Sequence, residues 1–76
     1  MTKDNIYITI SKNIKKYRLI NNMTQKELAI KSGYSYAYIR QLEGPNSPKH
    51  FSIQTIYNLS KILNINIKQL FEKDII

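Results

Sequence analysis

The chain has 76 residues, no Cys, and twelve Lys and Arg against five Asp and Glu, giving a net charge of +7. This length makes one domain with a small core, and the lack of Cys excludes disulfides and Cys-based zinc sites. No apolar run nears the roughly 20 residues that cross a bilayer, and no signal-peptide core opens the chain, so we expect a cytoplasmic protein without membrane contact. The charge favours nucleic acid as partner over a merely solvated basic surface.

The first predicted element is a helix over residues 6–20, capped by Asp4 or Asn5 and ended by Asn21 and Asn22. Its apolar residues are spaced by 4, 4 and 3 and therefore share one helical face. They are Ile6, Ile10, Ile14 and Tyr17. Residues 6–10 at its start alternate and are rich in β-branched side chains, a pattern that also suits a strand. Because the chain offers that strand no partner, helix is favoured, with a start as late as residue 10.

Two short helices come next. Thr24 and Glu27 have the spacing of a capping box, which opens the second helix, and Gly33 ends it. Ser35 caps a third helix that runs to about Leu42. Their inward-facing residues are Leu28, Ala29, Ile39 and Leu42.

The last two predicted helices follow a loop rich in Gly and Pro at residues 44–48. Ser52 caps the fourth helix, which Asn64 or Asn66 ends, and residues 67–73 form a short fifth. The fourth has an amphipathic stripe. It consists of Ile53, Ile56, Tyr57, Leu59, Ser60 and Leu63. Five helices without a convincing strand pair predict one all-α domain over residues 1–76.

Residues 24–43 have the organisation of a helix-turn-helix, in which the first helix braces a second that lies in the DNA major groove. Here the chain resembles the Cro/repressor-type helix-turn-helix regulators, the XRE family. The residues that carry the resemblance are Thr24, Gln25, Leu28, Ala29, Gly33, Ser35, Ile39 and Glu43, with segments 14–18, 52–56, 63–65 and 67–71. It spans roughly residues 10–72 and implies a compact five-helix, lambda-repressor-like DNA-binding domain.

The resemblance also implies residue roles. Candidates for reading bases are Tyr36, Ala37, Arg40 and Gln41. Candidates for phosphate contacts are Gln25, Ser35 and Tyr38. A long loop after Glu43, in which the chain departs from the family, adds Asn46, Lys49 and His50. Arg18 and Glu43 match a structural pair that ties the first helix to the end of the third.

This chain has Tyr36 and Ala37 where some phage repressors have polar amides. Tyr offers one O–H bond and Ala only contact with a thymine methyl, so direct readout of bases at these two positions is sparse. Recognition should then depend more on Arg40, Gln41 and the shape of the DNA. The alternatives are an ordinary exposed Tyr36 and, for Arg40 and Gln41, a solvated polar face. Tyr34, Tyr36 and Tyr38 make a poor stacking platform, because Tyr36 and Tyr38 are about 200° apart on a helix and Tyr34 lies in the turn before it. Lys12, Lys15 and Lys16 are either solubility residues or phosphate contacts.

An apolar surplus at the C-terminus predicts that residues 64–76 contribute to a two-fold dimer interface. The residues expected there are Ile65, Ile67, Leu70, Phe71, Ile75 and Ile76. A frayed C-terminal tail is the alternative, and an interface on residues 6–8 is the second choice.

The predicted function is a sequence-specific, double-stranded DNA-binding transcriptional regulator, a homodimeric (auto)repressor or controller on a palindromic operator. A toxin or competing regulator is a possible protein partner. The alternative is a protein-interaction module of the same fold, such as an antitoxin or anti-repressor. An enzyme is disfavoured, because the chain has one His, no Cys and no phosphate-cradling Gly loop. No cofactor, metal or small-molecule ligand is expected.

Overall fold

A computed structural model describes residues 5–44 and 51–73 of the chain. Within these ranges every regular element is helical. The elements are α1 (Ile6–Ile20), α2 (Gln25–Ser32), α3 (Tyr36–Glu43), α4 (Ile53–Ile62) and a C-terminal 3₁₀ helix (Ile67–Phe71). The predicted helical helix-turn-helix architecture is confirmed.

The prediction of a fifth α-helix over residues 67–73 is wrong in type and in length. The segment is a five-residue 3₁₀ helix that ends when Glu72 turns to extended backbone at φ −79° and ψ 138°. The Asn13 side chain donates hydrogen bonds to the carbonyl oxygens of Leu70 and Glu72, at 2.8 and 2.7 Å. These long-range bonds satisfy carbonyls at the C-terminal end of the segment, where a longer helix would have bonded its own next turn.

Side-chain caps begin all four α-helices. Asn5 accepts from the backbone N–H of Tyr7, so α1 begins as a helix at Ile6 and not as a strand. Ser35 and Ser52 cap α3 and α4 in the predicted way. The predicted capping box of α2 is also present.

The α2 capping box joins Thr24 and Glu27. The Thr24 hydroxyl accepts from the backbone N–H of Glu27 at 3.0 Å, while the Glu27 carboxylate accepts from the backbone N–H of Thr24 at 2.8 Å. The Thr24 backbone N–H, then the Thr24 hydroxyl, and more weakly the positive charge of Lys31, hold the pKa of Glu27 below its ordinary value of 4.5. Gly33 ends α2 at φ 80°, a left-handed conformation that favours glycine.

Asparagine marks the ends of α1 and α4. Asn22 and Asn64 both adopt left-handed backbone, at φ 57° and 60°. The Asn21 side chain donates to the carbonyls of Tyr17 and Leu63, at 2.8 and 3.0 Å, and so ties the end of α1 to the end of α4. These asparagines end both helices at the predicted places.

The core collects apolar side chains from all five elements. They are Ile10, Ile14, Met23, Leu28, Ala29, Ile39, Leu42, Phe51, Ile56, Leu59, Leu63 and Leu70. The stripe predicted for α4 is partly wrong, because Ile53 is 67% exposed and Tyr57 is exposed. Thr55 occupies the buried position in the first turn instead, where its hydroxyl lies 3.5 Å from that of Tyr34. The core therefore supports α2 and α3 from behind.

Candidate nucleic-acid interface

Helix α3 has two sharply different faces. Ile39 and Leu42 are fully buried and hold the helix against the core. Every predicted base-reading residue is exposed on the opposite face: Tyr36, Ala37, Arg40 and Gln41. At 100° per residue these four span less than half the helix circumference, so they form one continuous surface, which we call the recognition surface.

An open groove borders the recognition surface on the side of α1 and α2. Its lining residues are Lys15, Gln25, Ala37, Arg40, Gln41, Glu43 and Gly44. The groove therefore brings Gln25, a phosphate candidate at the first position of α2, next to three base-reading candidates. It also adds Lys15, whose role the sequence leaves open between solubility and phosphate contact. The positive charges of Lys15 and Arg40 along this groove suit an anion.

Beneath the groove lies a buried polar network centred on Glu43. The Arg18 guanidinium donates to both oxygens of Glu43, from Nε at 2.7 Å and from Nη2 at 3.0 Å. Both side chains are buried, with 8% of Arg18 and 2% of Glu43 exposed. Arg18 also donates from Nη1 to the carbonyl of Met23 at 2.7 Å, and Gln25 donates from Nε2 to Glu43 Oε1 at 3.1 Å. The predicted structural pair is thus in contact and extends to α2.

Tyr36 lies between two cations at the edge of the recognition surface. The centre of its ring is 5.5 Å from Lys26 Nζ on α2 and 5.6 Å from Arg40 Cζ one turn further along α3. Both distances allow cation–π attraction, which restrains the ring and the Arg40 guanidinium. Sequence reasoning missed Lys26, because its contact with Tyr36 crosses between two helices. The spacing of Tyr36 and Arg40 by four residues was a readable signal for the other contact.

Residues 14–70 of the chain match the helix-turn-helix (HTH_3) family model. The chain belongs to this helix-turn-helix family. It is 31% identical over 64 residues to the control protein C.SmaI of Serratia marcescens, which covers 84% of this chain and 74% of that protein. The predicted family resemblance is confirmed.

Solved structures share the fold of this helix-turn-helix protein. The wild-type restriction-modification controller protein C.Esp1396I has a TM-score of 0.77 at 32% identity, covering 91% of this chain and 87% of that one. C.Esp1396I bound to a 25 base pair operator site gives 0.77 at 29%, covering 91% and 88%. SinR, the master regulator for biofilm formation, in complex with DNA gives 0.75 at 28%, covering 83% and 98%.

The remaining phosphate candidates differ in their exposure to solvent and in their hydrogen bonds. The Ser35 hydroxyl accepts from the backbone N–H of Tyr38 at 3.0 Å and retains its own O–H to donate. Tyr38 is half-buried, with its ring 5.2 Å from that of Tyr34 at 56°. Tyr34 is itself anchored to α4, because its hydroxyl accepts from Asn58 at 3.0 Å. The other three predicted residues, Asn46, Lys49 and His50, lie outside the described residues.

The residues predicted for the dimer interface are not equivalent in the structure. Leu70 is fully buried in the core of its own chain, so its assignment to the interface is wrong. The 3₁₀ helix turns this side chain inward against α1 and α4, while Ile65, Ile67 and Phe71 are only partly buried at the rim of the core. Ile75 and Ile76 lie outside the described residues.

Residues 5–44 and 51–73 contain neither a membrane-spanning helix nor a cluster of metal ligands. No helix in these ranges is long and apolar enough to cross a membrane. Within the same ranges, no three His, Cys, Asp or Glu side chains gather closely enough to hold a metal ion.

Proposed function

We propose that this protein is a sequence-specific, double-stranded DNA-binding transcriptional regulator. It acts as a homodimeric (auto)repressor or controller on a palindromic operator. The observation that carries the proposal is the recognition surface of α3, held rigidly by Ile39 and Leu42 behind it and flanked by Gln25 at the start of α2. A helix presented in this way enters the major groove while the preceding helix contacts the backbone. We also propose that the protein has no enzymatic activity.

Similarity to regulators supports this proposal. C.SmaI is named a control protein, and C.Esp1396I is a restriction-modification controller whose structure includes an operator. At 31% and 32% identity both are similar enough to support a shared function as well as a shared fold. We therefore favour a controller or repressor over a protein-interaction module.

Each group at the interface has a chemistry that suits one class of DNA contact. Arg40 suits the acceptor edge of guanine and Gln41 the N6 and N7 edge of adenine. Ala37 suits a thymine methyl, and Tyr36 contributes a single O–H. Gln25, at the N-terminus of α2, suits a phosphate because the free N–H groups there already favour an anion.

We propose that dimerisation uses residues 64–76. Of the expected interface residues, the structure describes Ile65, Ile67 and Phe71 at the rim of the core. The proposal requires a two-fold axis at this end that sets two α3 helices about 34 Å apart, one turn of DNA, so that both enter the major groove on one side. Linking two half-site contacts raises the effective concentration of the second, which a domain of this size needs for useful affinity.

The decisive experiment for DNA binding is selection of duplexes from a random pool with the purified chain, followed by titration at several salt concentrations. We expect a palindromic consensus and, if about six phosphates are neutralised, a slope of log affinity against log salt near −5. Binding without sequence preference, or a flat salt response, would contradict the proposal. The same titration identifies a protein-interaction module, which would bind duplex DNA weakly and without preference.

The dimer is tested separately by the double substitution Ile67→Glu and Phe71→Lys, with solution mass measured by light scattering and helicity by circular dichroism. We expect a folded monomer that has lost operator binding. The exposed Ile53→Glu on α4 serves as a matched control and should remain dimeric. A dimer that survives the double substitution would place the interface elsewhere, with residues 6–8 as the first region to test.

A further inference from the structure

The side chain of Gln25 is held before any DNA arrives. Its Nε2 donates to Glu43 Oε1 at 3.1 Å, and Gln25 is itself partly buried at the edge of the groove. An ionised carboxylate accepts hydrogen bonds and donates none, so the amide must turn its nitrogen toward Glu43. That nitrogen carries two hydrogens, and the bond to Glu43 uses one of them. The second remains available to a phosphate oxygen.

Glu43 is in turn fixed by Arg18. Two parallel N–H bonds from one guanidinium hold both carboxylate oxygens, an arrangement that defines the plane of the carboxylate as well as its position. The guanidinium is anchored by its third bond, to the carbonyl of Met23 in the segment between α1 and α2. The network thus runs from α1 through the last residue of α3 to the first residue of α2.

We propose that Glu43 is a positioning residue for DNA binding: it orients the Gln25 amide so that the free N–H is presented to a phosphate. This inference rests on the proposed function. A glutamine side chain loses considerable rotamer freedom when it is immobilised. Because Glu43 immobilises Gln25 when the protein folds, that loss does not reduce the affinity for DNA. The buried ion pair therefore serves recognition as well as stability.

A double-mutant cycle tests the proposal, using a selected duplex and a random-sequence duplex of equal length. In the wild-type background, Gln25→Ala removes a hydrogen bond to a charged group and should weaken binding to both duplexes about tenfold. In the background Arg18→Met, Glu43→Leu, which replaces the ion pair by apolar side chains, Gln25→Ala should weaken binding less than about threefold, because the amide is no longer oriented. An equal loss in the two backgrounds would overturn the role of Glu43.

The matched control is Gln41→Ala on the recognition surface. Gln41 does not take part in the Glu43 network, so its substitution should weaken binding to the selected duplex by the same factor in both backgrounds. If the Gln41 loss also shrinks, the apolar background has disturbed α3 as a whole, and the reduced Gln25 loss would count against a specific role of Glu43.

A second measurement needs no variant. Side-chain ¹⁵N relaxation of the free wild-type protein should give the Gln25 amide an order parameter near the rigid-backbone value of about 0.85, and the exposed Gln41 amide one below about 0.6. Equal mobility of the two amides would overturn the proposal even if the double variant does not fold. A wild-type chain that binds no duplex DNA would instead overturn the proposed function, whatever the mobility of Gln25.

Discussion

Two buried polar side chains of α1, Arg18 and Asn13, hold two different parts of the molecule, the recognition end around Glu43 and the C-terminal 3₁₀ helix, by different means. Arg18 ties α1 to the recognition end through a charged, bidentate pair with Glu43. Asn13 ties α1 to the C-terminal end through neutral bonds to two backbone carbonyls. Losing one partner of the charged pair leaves a buried ion without compensation, whereas losing the amide leaves carbonyls unpaired. The recognition end should therefore tolerate substitution less than the C-terminal end.

The largest effect is expected from Glu43→Ala, which should lower the free energy of unfolding by about 3 kcal/mol because Arg18 remains buried and charged. The double substitution Arg18→Met, Glu43→Leu should recover most of that loss. Recovery is incomplete because the carbonyl of Met23 still lacks its donor. Guanidinium denaturation of the wild type, both single variants and the double variant measures the coupling. Strictly additive losses would mean that the two residues act independently.

A smaller effect is expected from Asn13→Ala, at about 2 kcal/mol, because the Leu70 and Glu72 carbonyls lose a neutral donor. If the proposed dimer is correct, Asn13→Ala should also raise the dimer dissociation constant. The factor by which Gln25→Ala weakens DNA binding should be the same in the Asn13→Ala background as in the wild type. The exposed neighbour Lys12→Ala is the control and should change stability by less than about 0.5 kcal/mol. A loss as large as that of Glu43→Ala would erase the difference between the two ends.

Tyr36 sharpens the comparison at the recognition end. Tyr36→Ala should weaken binding to the selected duplex by about 1 kcal/mol and to random duplex hardly at all. Tyr36→Phe keeps a ring beside Lys26 and Arg40 but removes the O–H. If Phe restores binding, the ring acts by holding its cations; if it does not, the O–H reads the DNA. Equal losses on both duplexes would show that Tyr36 positions the protein and reads no base.

The smallest effect is expected at the capping box of α2. This capping box is exposed and therefore serves as a surface control for the two buried interactions of Arg18 and Asn13. The pKa of Glu27 is lowered by folding, so its contribution to stability is complete above the unfolded value near 4.5 and is lost as the pH falls through the lowered folded pKa. Solvent screening keeps the contribution small. Melting temperatures from neutral to acid pH should therefore converge for the wild type and Glu27→Gln. A constant gap between the two curves would contradict this.

Local signals in the sequence predict the helices and caps of the recognition end, but not its contacts between helices. Caps at Thr24, Ser35 and Ser52, the left-handed stop at Gly33 and the two faces of α3 depend on neighbours a few residues away, so spacing alone predicts them. Arg18 and Glu43 are 25 residues apart, and family resemblance was needed to pair them.

The C-terminal end lacked such signals. The bonds from Asn13 reach 57 and 59 residues along the chain, and no spacing rule connects such positions. A segment as short as the 3₁₀ helix contains too few residues to define an apolar face, so the inward turn of Leu70 could not be distinguished from the outward positions of its neighbours. The contact of Lys26 with Tyr36 at the recognition end crosses between two helices, so no spacing rule within one helix predicts it.

Asn22 and Asn64 occupy left-handed backbone where many proteins use glycine, and this choice matters most for the chain when it is unfolded. Glycine would relieve the modest strain of a side chain at positive φ, but it would also widen the range of conformations that the denatured chain samples. The two effects have opposite signs and similar sizes, each about 1 kcal/mol or less. With only two glycines in 76 residues, the chain begins folding from a narrower denatured ensemble, and a small domain thereby loses less conformational entropy when it folds.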